Sequence, residues 1–137
     1  MANYYGSARS NYFKVKDPVA FEEALFNVTD IEIQGSIEKG FCVLVSGGDA
    51  GGWPSMGWDD ETEEEFDIDV PQIVSEHLVD GEVAIFEEAG AEKLRYLVGY
   101  AEAINSKGER RAVSLNDIFK LAAELTDRPE DITPAEY

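Results

Sequence analysis

Carboxylates are the side chains this sequence concentrates enough to act as a group. Asp59, Asp60, Glu61, Glu63, Glu64, Glu65, Asp67 and Asp69 place 8 acids within 11 residues. Such a run could hold a hard cation through oxygen ligands or supply a general acid and base. The spacing argues against both. There is no glycine at a sharp-turn position and no Asp-x-Asp-x-Asp series, so the run is not an EF-hand loop. No two of its carboxylates are set apart as an acid–base couple, and a run of like charges ordinarily forms a solvated surface.

The remaining reactive types are sparse. His77 is the only histidine, on a helical face with Ile73, Val74 and Leu78, which reads as a partly buried structural residue. A zinc site needs more nitrogen or sulfur ligands than the chain offers. The single Cys42 lies in the apolar run Phe41–Val45, and no base or cationic helix end is adjacent. It reads as a buried thiol in a reducing, cytoplasmic compartment rather than a nucleophile. Gly47–Gly52 is glycine-rich, but it lacks both P-loop and dinucleotide spacing, contains no Lys or Arg, and has acidic neighbours that repel phosphate. It is expected to be a hairpin loop. No Gly-x-Ser-x-Gly nucleophile elbow is present. The expectation is a protein that is not an enzyme, with no cofactor and no metal.

Charge distribution says more. From Gly40 to Glu92 there is no Lys or Arg but there are 15 Asp or Glu, whereas the rest of the chain sets 14 acids against all 11 cations. The formal net charge of −18 is therefore local. The plainest use of such a block is solubility. A sharper use is mimicry: at one charge per about 1.7 Å of duplex, fifteen carboxylates match about 25 Å of DNA. Trp53, Trp58 and Phe66 beside the acids would supply the apolar anchors that binding hot spots contain. These three and the eight acids are the candidate partner-binding residues. The N-terminal segment interleaves Tyr4, Tyr5, Tyr12 and Phe13 with Arg9, Lys14 and Lys16. Nucleic-acid affinity comes largely from cationic charge, so a chain at −18 is not expected to bind nucleic acid through it. The segment is expected to pack as an edge strand.

Small size, strong acidity, a single domain and no catalytic motif together resemble the anti-restriction and anti-CRISPR proteins of phages and mobile elements, some of which mimic DNA. The resemblance is one of overall character, without a shared motif. It implies an inhibitor whose partner is a basic, nucleic-acid-binding effector protein. The alternatives are a general acidic interaction or adaptor module and, further off, an enzyme with an unrecognised site. The partner's identity and the oligomeric state stay open.

These residues need elements to position them. A chain of 137 residues suits one domain, expected over residues 1–126 with an acidic tail at 127–137. No apolar run reaches the roughly 20 residues of a membrane span, and Met1–Tyr5 lacks the start of a secretory signal. Ser10–Lys16 alternates as a strand, and Asp17-Pro18 opens an amphipathic helix to Asn27. Ile31–Glu38 and Phe41–Ser46 form a hairpin whose second strand, apolar on both faces, should be interior. A second helix runs from Val70 to about Leu78. Strands follow at Glu82–Glu87, Leu94–Ile104 and Glu109–Val113. Ser114–Asp117 resembles a capping box ahead of a third helix carrying Leu115, Ile118, Phe119, Ala122 and Leu125. The order β-α-β-β-α-β-β-β-α implies an α+β fold on a mainly antiparallel sheet of five to six strands with three helices. Phe21, Leu25, Val43, Val45, Ile85, Val98, Ile118 and Phe119 are expected to form one buried cluster.

Overall fold

The computed structural model describes residues 4–28, 30–45, 52–92 and 96–134. Its elements are β1 (Tyr4–Ser10), α1 (Pro18–Leu25), β2 (Ile31–Ser36), β3 (Gly40–Val45), β4 (Met56–Asp59), β5 (Glu64–Asp67), α2 (Val70–His77), β6 (Val83–Glu92), β7 (Tyr96–Asn105), β8 (Arg110–Ser114) and α3 (Ile118–Ala123). Six strands form an antiparallel sheet in the order β2-β3-β1-β6-β7-β8, and β4 and β5 form a separate two-stranded ribbon. The α+β class is thus observed, with β3 interior.

Both longer helices begin as their sequences dictate. The Asp17 carboxylate accepts the amides of Val19 and Ala20 ahead of Pro18, and Asp69 accepts that of Gln72 ahead of Pro71. Phe21 and Leu25 of α1 and Val70 and Val74 of α2 are buried against Phe13, Phe41, Val43, Phe86 and Ile104. Strand register sorts the sheet into two faces. Ser10, Val43, Phe86 and Ile104 point toward the helices, while Arg9, Leu44, Glu87 and Ala101 point to the opposite side.

Several expectations are corrected. The first strand is Tyr4–Ser10, and Phe13 and Val15 make only isolated bridges to Phe41 and Leu78. This strand lies between β3 and β6, so it is not an edge strand. Its small residues Gly6, Ser7 and Ala8 have low intrinsic strand preference, and tertiary pairing overrides it. Of the expected core, Phe21, Leu25 and Val43 are buried, while Val45, Val98 and Phe119 are half-buried. Ile85 and Ile118 are exposed. Ile85 is displaced by one position: its neighbours Ala84 and Phe86 face the core, and a step of one residue reverses the face. The acidic run, where the expected order holds no strand, pairs as the ribbon β4–β5. Gly47–Gly51 lies outside the described residues.

Candidate partner-binding site

Isolated two-stranded ribbons are marginal in water, so β4–β5 needs anchors, and the sequence supplies them at both ends. At its base the Ile68 amide donates to the Ser55 carbonyl at 2.8 Å, and the Ile68 side chain enters the core. At its tip the Asp59 carboxylate accepts the amides of Glu61 at 2.9 Å and Thr62 at 3.4 Å, which closes the turn. Glu63 completes it at φ 55°, in the left-handed region. The pairs are Met56–Asp67, Gly57–Phe66, Trp58–Glu65 and Asp59–Glu64. The last sets like charges directly opposite each other, which is destabilising. The ribbon is therefore built against its own electrostatics.

A cleft of about 610 Å³ opens between this ribbon and the end of α1, lined by Phe26, Asn27, Trp58, Asp59, Asp60, Glu61 and Phe66. Phe26 is 84% exposed, Trp58 58% and Phe66 41%. The Phe66 ring lies over Gly57: a Cβ there would come within 2.4 Å of the ring. Glycine at position 57 thus sets where the Phe66 ring sits. Aromatic faces beside carboxylates attract a cation twice over, through the ring quadrupole and through Coulomb attraction. The cleft suits a lysine or arginine side chain, whose apolar stem packs on the rings while its head meets the acids.

A second cluster fixes the ribbon to the sheet. Arg110 of β8 pairs with Glu102 of β7 and, at 2.6 Å, with Asp69 at the start of α2. Its proton affinity is raised first by the Glu102 hydrogen bond and then by that to Asp69. Beside it Glu88 accepts the Trp53 amide at 2.9 Å and the Tyr100 hydroxyl at 3.3 Å. Burial, then the Glu88 charge and hydrogen bond, push the Tyr100 hydroxyl up to about 12. A raised folded-state value means that the stability this group contributes is complete below the ordinary value near 10 and is lost as pH rises toward 12. Alkaline titration followed by tyrosine absorbance is therefore expected to show a late step from the Tyr100 hydroxyl. Tyr100→Phe should abolish that late step and flatten stability between pH 10 and 12; an unchanged profile in the variant would refute the assignment.

No protein-family model, curated protein or solved structure matches this chain. Among the described residues, no group of three or more His, Cys, Asp or Glu is arranged to hold a metal ion, and no helix is long and apolar enough to cross a membrane.

The candidate residues divide between the two clusters. Trp58, Asp59, Asp60, Glu61 and Phe66 meet in the cleft, and Glu63, Glu64, Glu65 and Asp67 extend it as an exposed acidic edge along the ribbon. Trp53 stands apart from the cleft, because its ring meets Phe86 edge-on at 5.3 Å and its indole nitrogen is buried. Asp69 also has a structural task, as the α2 cap and the Arg110 partner. His77 is half-buried, edge-on to Phe21 at 6.0 Å. Cys42 is buried beneath Arg9, whose guanidinium donates to the thiol sulfur at 3.7 Å. Sequence reasoning missed Phe26, Arg110 and Tyr100. Phe26 had a usable signal, an aromatic off the Phe21–Ala24–Leu25–Val28 stripe of its own helix. Arg110 and Tyr100 had none, since their partners lie up to 41 residues away.

Proposed function

We propose that this protein is a non-enzymatic inhibitor that docks its acidic ribbon on a basic, nucleic-acid-binding protein, in the manner of those anti-restriction and anti-CRISPR proteins that mimic DNA. One observation carries the reading: the acids occupy a paired and doubly anchored ribbon rather than a loose loop, with three exposed aromatics converging beside them. Four residues of strand span about 14 Å. Duplex DNA of that length carries about eight charges; the ribbon carries Asp59, Glu64, Glu65 and Asp67 on its paired strands and Asp60, Glu61 and Glu63 in its turn. The ribbon thus offers a dense, one-signed charge in a fixed shape. A general adaptor would have no need to hold like charges opposite each other at Asp59 and Glu64.

The test is to immobilise the protein and load it with nuclease-treated lysate of its native host. A retained basic protein should be released by moderate salt and, at constant ionic strength, by added duplex DNA. Retention indifferent to DNA would count against mimicry. Tight nucleic-acid binding by the isolated protein would also refute the reading.

A further inference from the structure

Register puts two of the ribbon's like charges on the same face as an aromatic ring. Asp59 lies directly opposite Glu64, and Phe66 stands two residues from Glu64 on β5, so all three side chains project from one face. Directly opposite residues set their Cβ atoms about 5 Å apart. Phe66 is half exposed, with its ring laid over Gly57. Phe26, at the C-terminal cap of α1, lines the same cleft from the helix side. None of the residues lining the cleft is basic. Asp59 commits only Oδ1 to the amides of Glu61 and Thr62. Among the described residues, the carboxylates of Asp60, Glu61 and Glu64 have no hydrogen-bond or ion-pair partner.

Charge complementarity makes a cation the occupant of this cleft, and the groups that line it discriminate between cations. Resting on the inhibitor reading, we propose that the cleft is an arginine pocket, which takes one arginine side chain of the basic partner in preference to a lysine. A guanidinium is flat and stacks on an aromatic face while its fork of donors reaches carboxylates at its rim. Seated on Phe66, it meets both Asp59 and Glu64, so the repulsion between those two opposed acids becomes two attractions. A lysine ammonium is compact and strongly hydrated, and it gives up water to meet the rings. The outer acids of the ribbon serve it equally well without that loss. Proteins that bind nucleic acid use arginine for the same reasons, forking onto phosphates and stacking on bases. A ring beside a pair of carboxylates presents such an arginine with both features of a nucleotide.

Calorimetric titration of the full chain with oligo-arginine and oligo-lysine peptides of equal length, at constant ionic strength, tests this. The two peptides carry the same charge, so a preference reports the head group. The arginine peptide should bind at least about 5-fold more tightly, the worth of a cation–π contact at a partly desolvated ring. Phe26→Leu and Phe66→Leu keep an apolar side chain and remove the ring. Each should reduce the preference and together they should bring it below about 2-fold, while affinity for oligo-lysine stays within about 2-fold of the parent. Phe26 is exposed, so its substitution leaves the fold intact and reads the pocket alone. Equal affinity of the parent for both peptides would overturn the proposal. A preference that survives the loss of both rings would overturn it too, because the discrimination would lie elsewhere. Competition between this protein and duplex DNA on the captured partner is a separate readout, so failure of the inhibitor reading and failure of this one are distinguishable.

Discussion

Replacing Phe21 by alanine is expected to lower stability by roughly 3–5 kcal/mol, the range for an aromatic side chain removed from a closed core. Phe21 is fully buried. Its ring meets Phe13 edge-on at 5.8 Å, Phe41 at 6.1 Å and His77 at 6.0 Å. It therefore joins the connecting segment, the sheet and the second helix at one point. These neighbours belong to separate elements and cannot all close in on the space left, so the cavity term adds to the transfer term. Five positions along, Phe26 is the control. It is 84% exposed, so Phe26→Ala should stay within about 0.5 kcal/mol of the parent, yet it should weaken partner binding because Phe26 lines the cleft. Urea unfolding midpoints at constant m-value check both. A loss below about 1 kcal/mol for Phe21→Ala would mean that α1 is peripheral to the fold.

The second large effect concerns the ribbon. Reversing Asp60, Glu61, Glu63, Glu64 and Asp67 together should slow association with a basic partner by about 10-fold to 10³-fold at low salt. The effect should shrink as ionic strength rises, since steering acts over a Debye length of about 10 Å at 0.1 M. Asp59 and Asp69 are left intact on purpose. Asp59 closes the ribbon turn through two amides, and Asp69 caps α2 and pairs with Arg110. Reversing either would confound binding with folding. The five-site variant should be no less stable than the parent, because reversal at Glu64 turns the Asp59–Glu64 repulsion into an attraction. Trp58→Ala and Phe66→Ala should act differently and speed dissociation, because desolvated aromatic anchors work at contact range. Gly57→Ala should resemble Phe66→Ala without deleting a ring, since a Cβ there displaces the Phe66 side chain.

How much of this was legible in the sequence depends on how local the signal was. Asp17-Pro18 and Asp69-Val70-Pro71 announce helix starts within a few residues, and the structure begins α1 and α2 at those positions. The β2–β3 hairpin and the interior place of β3 were equally local, in a short turn and an apolar run. The β4–β5 ribbon was hidden. Charge dominates its composition, and its pairing rests on the turn around Asp59 and on Ile68 reaching the core, which no periodicity reports. The position of β1 was hidden for a related reason: Gly6, Ser7 and Ala8 look like a loop until β3 and β6 pair on both sides. Within the site, the acids and Trp58 were visible as types. The division of labour was not, because Trp53 and Asp69 are drawn into the fold by Phe86 and Arg110, both far along the chain.

The central claim is that the ribbon occupies the place of a nucleic acid on its partner. The most direct measurement is an equilibrium competition in which the captured basic protein holds labelled duplex DNA and this protein is titrated in. Full displacement of the duplex by the parent is expected, with the five-site variant needing at least about 10-fold more protein for the same displacement at low salt, and no complex containing all three. A stable ternary complex, or displacement by the variant as efficient as by the parent, would contradict this claim.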